Sequence, residues 1–192
     1  MAAGDPPRAG GHDVVTLPNL ISLVRLCAVP ATVWLMLNGR LEAAFVVFAL
    51  AGLSDGLDGW LARALDMRST LGAMLDPVAD KALLVSVFVT LAVTGVLPGW
   101  IAGLVVLRDG VILGGLAALW LLGRRPVIRP LWISKLNTVA QIALAAAALF
   151  WAGFAPAVAS PVVPLIWLVA ATTLVSGTAY VAGGARLLAM PR

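Results

Sequence analysis

Four aspartates, Asp55, Asp58, Asp76 and Asp80, stand inside stretches that are otherwise largely apolar. A charged carboxylate at the centre of a membrane-spanning helix costs about 2.5–3.5 kcal/mol on insertion scales, so four of them require compensation. At about 100° per residue, Asp55, Asp58, Gly59 and Ala62 share one helical stripe, while Gly72, Asp76 and Asp80 share a stripe on the next helix. The short link around 66–70 makes the two helices antiparallel. Counting about 1.5 Å per residue from that link puts Asp58 level with Asp76 and Asp55 level with Asp80. The stripes can face each other, and the carboxylates then converge about 9 to 15 Å below the helix ends, within reach of water and a polar headgroup. Arg63 and Lys81 offset two of the four charges. A divalent cation suits the remainder, and all-oxygen ligation without Cys or His favours Mg²⁺ or Mn²⁺ over Zn²⁺. Mg²⁺ commonly joins a few carboxylates to substrate phosphates, so a phosphate-bearing substrate follows. The plainer alternative pairs the aspartates with Arg63, Lys81 and Arg108; the surplus of negative charge weighs against it.

The elements that must carry these residues are legible from composition. Of 192 residues, 61% are hydrophobic and 11% charged, and the mean hydropathy is +1.02, which excludes an ordinary soluble domain. At roughly 20 apolar residues per span the chain has room for about six helices and no separate soluble domain. Apolar runs at 17–37, 41–65, 71–96, 100–122, 133–154 and 164–188 supply them. The expected fold is therefore all-α: a polytopic membrane protein with six transmembrane helices. A polar arm at 1–16, with Asp5, Arg8, His12 and Asp13 among Gly and Pro, precedes the membrane domain of 17–188, and a tail of 189–192 follows it. The first run is too long for a signal-peptide core and has no basic region directly before it.

Basic residues set the orientation. Arg8, Arg63, Arg68, Arg124, Arg125, Arg129, Lys135, Arg186 and Arg192 mark one side and Arg40 alone marks the other, so both termini are expected in the cytoplasm. Trp34, Trp60, Trp100, Trp120, Trp132, Trp151 and Trp167 fall near the expected span ends, as an aromatic belt does. The net charge of +4 suits cytoplasmic loops and anionic headgroups, and nucleic acid is not an expected partner. The single Cys27 lies in an apolar run and reads as packing. Alanines 145–148 suit close helix contact.

The spacing Asp55, Asp58, Gly59, Ala62, Arg63, then Gly72, Asp76 and Asp80, resembles the signature of the CDP-alcohol phosphatidyltransferase family at all eight specified positions. The resemblance extends across the six-span pattern from about Thr16 to Leu188. It implies transfer of a phosphatidyl group from CDP-diacylglycerol to a hydroxyl acceptor, with CMP leaving. It also implies that Asp55, Asp58 and Asp76 hold metal, while Asp80 ligates a second ion and serves as general base. Gly59, Ala62, Gly72 and Arg63 would then receive the CDP-lipid: glycines permit close backbone approach, and a guanidinium can fork onto a diphosphate. Their plainer roles are helix contact and a snorkelling arginine. A homodimer is implied by the family alone.

Shorter segments bear on the acceptor. Residues 16–25, from Thr16 through Pro18, Asn19 and Ser22 to Arg25, resemble both the bacterial branch that makes phosphatidylglycerophosphate and cardiolipin synthases. Arg108 and Asp109, with Ser134, Lys135, Asn137, Thr138 and Gln141, look closer to CMP-forming cardiolipin synthases. Phosphatidylglycerophosphate synthases usually show Arg-Glu at the first of these segments and one more lysine at the second. A terminal phosphate on the acceptor would reward that extra lysine, whereas phosphatidylglycerol carries a singly charged diester. Arg108 and Lys135 are thus the candidate acceptor-binding residues, and phosphatidylglycerol the expected acceptor, with glycerol 3-phosphate the alternative. In the plainer alternative these two residues only pair with Asp109 and interfacial phosphate. A cation- or proton-coupled transporter is the remote alternative; it would be expected to show repeated halves or discontinuous helices, and neither is found. The expected location is a bacterial inner membrane, with the active site open to the cytoplasmic side.

Overall fold

A computed structural model gives the architecture. It describes residues 17–64, 70–121, 123, 132–155 and 162–189; within these, the side chains of 17–22, 55–64, 70–79, 116, 120 and 186–189 fall outside the description. The polar arm at 1–16, the link around 66–70 and the basic loop at 124–129 therefore lie outside the described residues wholly or nearly so.

Among the described residues the secondary structure is entirely helical: α1 Leu17–Leu37, α2 Leu41–Ala64, α3 Thr70–Val93, α4 Gly99–Leu121, α5 Trp132–Phe154 and α6 Val162–Ala189. Each coincides with an apolar run, because a long apolar segment satisfies its backbone polar groups most cheaply within itself. Gly39 and Gly95 stop α1 and α3 in the left-handed region, at φ 72° and 75°. Beyond each glycine the chain turns back on the helix end, Arg40 N donating to Leu35 O at 2.9 Å and Leu97 N to Leu91 O at 3.0 Å. Hydroxyls inside the helices are satisfied locally: Thr32 and Thr90 donate to the carbonyls of Ala28 and Ser86, both at 2.7 Å.

The helices form two rows of three. One row is α1, α3, α4 and the other is α2, α5, α6; neighbours within each row pack together, and α1·α2, α3·α5 and α4·α6 pack across the rows. The result is two four-helix rings sharing the α3·α5 edge. In the first ring α1 and α5 each touch both α2 and α3, which holds α2 and α3 at diagonal corners. The core runs through the shared edge, with Val87, Phe88, Leu91, Ile101, Val105, Leu144, Leu149 and Val169 fully buried. Small residues let α5 sit centrally, since Ala140, Ala145 and Ala148 are all buried.

The outer surface is apolar, with Leu53, Val93, Leu107, Val139 and Val181 among many exposed large side chains. So large an exposed apolar surface requires lipid or another apolar partner. Among the described residues three stretches are long and apolar enough to cross a membrane, Gly99–Leu119, Trp132–Phe154 and Val162–Ala185, and shorter apolar stretches at Leu23–Leu37 and Leu41–Ser54 continue the pattern. Trp34, Trp100 and Trp167 are exposed near one end of the bundle, with the Trp100 and Trp167 rings 5.7 Å apart, and Trp132 is exposed at the other end.

Candidate active site

The chemistry-bearing side chains gather in the half of the bundle nearer the α2–α3 link. The helical backbone is unbroken through positions 55 and 58 on α2 and 76 and 80 on α3; the link from which their register is counted lies outside the described residues. Asp55, Asp58, Gly59, Ala62 and Arg63 lie on α2 and Gly72 and Asp76 on α3, but their side chains are outside the described residues. Among the described residues no cluster of three or more potential acidic, His or Cys metal ligands occurs.

Asp80 is described, and its partner is one that the residue spacing did not suggest. Arg25 Nη1 on α1 donates to Asp80 Oδ1 at 2.8 Å. The pair is lopsided: the arginine side chain is 1% exposed and the aspartate 44%. A buried guanidinium must be compensated, and here it is compensated by a carboxylate that is itself only partly buried.

Lys81 corrects the expected charge balance. Instead of offsetting the four aspartates, its ammonium contacts Asp109 Oδ2 on α4. The reason is angular: consecutive residues on a helix diverge by about 100°, so Asp80 turned toward α1 leaves Lys81 turned toward α4. Asp109 is buried and also accepts from its neighbour, Arg108 Nη1, at 2.6 Å. Arg108 Nη2 donates to Ser134 Oγ on α5 at 2.7 Å and Ser176 Oγ on α6 at 2.6 Å. Its guanidinium carbon stands 5.8 Å from the centre of the Tyr180 ring. Gly177 leaves the room this requires, since a Cβ there would already touch Arg108 Cγ at 3.5 Å. One constellation thus ties all four helices of the second ring.

A second polar layer lies below it. Asn137 Oδ1 meets the hydroxyls of Thr172 and Thr173, each at 2.8 Å, and Gln141, one turn further along α5, is buried beside the same core. Lys135 behaves differently from Arg108. It is exposed at the helix end, with its ammonium 5.5 Å from the Trp132 ring centre. The structure therefore brings Arg108 next to the serine preceding Lys135, but it keeps Arg108 inside and Lys135 outside.

The family profile described as CDP-alcohol phosphatidyltransferase matches residues 15–177. The chain belongs to that family. Its curated relatives carry more than one activity in their names. The chloroplastic CDP-diacylglycerol–glycerol-3-phosphate 3-phosphatidyltransferase 1 of Oryza sativa subsp. japonica is 36% identical over 190 residues, covering 89% of this chain and 58% of the relative. The CMP-forming cardiolipin synthase of Homo sapiens is 33% identical over 153 residues, 70% of this chain and 50% of the relative. That of Streptomyces coelicolor is 39% identical over 106 residues, 52% of this chain and 49% of the relative. The chain spans about half the length of the curated relatives it matches. The match begins before α1 and ends within α6, so it embraces both polar constellations.

Proposed function

We propose that this membrane protein transfers the phosphatidyl group of CDP-diacylglycerol to phosphatidylglycerol, giving cardiolipin and CMP. The observation that carries the reading is the set of acidic positions 55, 58, 76 and 80 on unbroken stretches of α2 and α3, in a chain of this family. Oxygen donors of this kind fit Mg²⁺ or Mn²⁺, and Asp80, the member whose side chain is described, is open enough to ligate. Asp55, Asp58 and Asp76 would hold one ion, with Asp80 reaching a second. When bound, the metal supplies neutralisation of the diphosphate.

The chain's own residues would do the rest. Gly59, Ala62 and Gly72 admit the cytidine diphosphate against the helices, and Arg63 forks onto its phosphates. Asp80 accepts the proton of the acceptor hydroxyl as the oxygen attacks the phosphorus that bears diacylglycerol. The bond from that phosphorus to the bridging oxygen breaks, and CMP departs with the electron pair.

The acceptor reading is supported by how Arg108 is held. Asp109 is shared between Arg108 and Lys81, and Ser134 and Ser176 take further Arg108 donors. The cluster thus keeps a single net positive charge, which matches a singly charged diester better than a doubly charged phosphate monoester. Lys135, exposed beside Trp132, would meet such a diester at the membrane surface. The site would open to the cytoplasmic side of a bacterial inner membrane, in a homodimer. The test is direct. Purified protein with CDP-diacylglycerol is offered phosphatidylglycerol and glycerol 3-phosphate in parallel, and the lipid product is identified. Cardiolipin is expected; phosphatidylglycerophosphate as the main product would assign the other acceptor.

A further inference from the structure

Arg25 stands in the segment 16–25, which no step above employs. It is buried on α1, 55 residues from the carboxylate it holds. An ion pair whose purpose is solubility or loose surface attachment exposes both partners. Here the cation is 1% exposed and the anion 44%. The arginine is thus the embedded member of the pair and the aspartate the more accessible one. A guanidinium donor on Oδ1 restricts the rotation of the carboxylate about its own bond, because a charge-assisted N–H···O contact of 2.8 Å is directional. About 100° further around α3, Lys81 is engaged by Asp109, so the helix turn that carries Asp80 is tied at two places.

We propose that Arg25 is a positioning residue for Asp80, aiming the carboxylate at the acceptor hydroxyl while taking no direct part in binding the CDP-lipid. The inference rests on the reading of Asp80 as the base. A residue that only aims the base acts on the rate of the transfer step and leaves the affinity for the CDP-lipid in place. A residue that only holds the bundle together would lower the amount of folded protein and act regardless of what stands at position 80.

The experiment is a double-mutant cycle on the full-length protein in detergent or nanodiscs. It uses Arg25→Gln, Asp80→Asn and the pair, with residual CMP release followed by a labelled CDP-diacylglycerol. Thermal unfolding and size-exclusion profiles accompany each variant. Arg25→Gln is expected to lower kcat by about tenfold to a hundredfold and to change KM for CDP-diacylglycerol by less than about threefold. In the Asp80→Asn background the same change should cost less than about threefold more, because nothing is left to aim. Arg25→Lys, which retains one donor but not the planar fork, should recover part of the rate, and it replaces Arg25→Gln in the cycle if the latter fails to fold. Losses that multiply independently, near-normal kcat in Arg25→Gln, or a rise in KM matching the loss in kcat would each overturn the proposal. Near-normal turnover in Asp80→Asn would instead overturn the assignment of the base on which the proposal depends.

Discussion

Asp80 is asked to take a proton and to ligate metal, and these demands separate under substitution. Asp80→Asn retains an oxygen that can ligate weakly but loses the site for the proton, so turnover should fall by about 10² to 10⁴, the usual contribution of a general base. CDP-lipid affinity, measured by competition, should weaken far less, because Asp55, Asp58, Asp76 and Arg63 remain. A loss of affinity equal to the loss of rate would make Asp80 chiefly a ligand. Asp55→Asn, Asp58→Asn and Asp76→Asn should each lose most turnover while still inserting and purifying, since removing a charge does not raise the cost of insertion. Chelation with EDTA should abolish CMP release, and Mg²⁺ or Mn²⁺ should restore it; full activity in EDTA would end the metal mechanism. At this scale the sequence was informative about which residues are unusual and silent about their partners. Local spacing shows that four aspartates interrupt apolar runs, but Arg25 and Asp80 meet only because α1 and α3 are neighbours. Lys81 was assigned to the wrong carboxylates for the same reason: its allegiance depends on which side of α3 faces α4.

The elements were legible to within a few residues, because runs of apolar side chains are a local signal. What the runs could not give is the contact between them, and Gly153 is the clearest case. A Cβ on that residue would lie 2.8 Å from the backbone nitrogen of Glu42 and 3.1 Å from its Cα, so the end of α5 passes directly against the start of α2. Backbone cannot yield as a flexible side chain can. Gly153→Ala should therefore destabilise by about 1–3 kcal/mol, the usual cost of overpacking, and Gly153→Leu by more. Gly103→Ala and Gly114→Ala are the controls. Both positions are exposed within α4 with nothing within 4 Å of an added Cβ, and alanine there should be neutral or stabilise by up to about 1 kcal/mol. Melting temperatures in one detergent decide the matter: equal behaviour at positions 153, 103 and 114 would mean that α5 and α2 do not approach so closely. The aromatic contacts of Phe45 with Phe150 and Phe154, at 5.4 and 5.9 Å, belong to the same junction and leave it little freedom to shift.

For the whole molecule, the expected six-span pattern has the helices alternate in direction, which would put the ends of α2, α4 and α6 with the starts of α1, α3 and α5. One end of the bundle is then served by the connections at 65–69 and 122–131, and the other by those at 38–40, 94–98 and 155–161. The first group holds Arg68, Arg124, Arg125 and Arg129, and the second holds only Arg40. Basic connections are retained on the cytoplasmic side, and Asp80 lies about ten residues into α3 from that end, roughly 15 Å deep. On the proposed mechanism, a donor lipid in the cytoplasmic leaflet would reach it from there. Cysteine labelling tests the orientation once Cys27, exposed on α1, has been replaced. Arg125→Cys should resist a membrane-impermeant thiol reagent on intact cells and react after permeabilisation. Thr94→Cys, at the exposed turn beyond α3, should react from outside without permeabilisation. The reverse pattern would place both termini and the aspartates toward the exterior, and cytoplasmic supply of the CDP-lipid would fall with it. Labelling of both positions from one side would go further, because it would break the alternation of helix directions on which the facing of α2 and α3 depends.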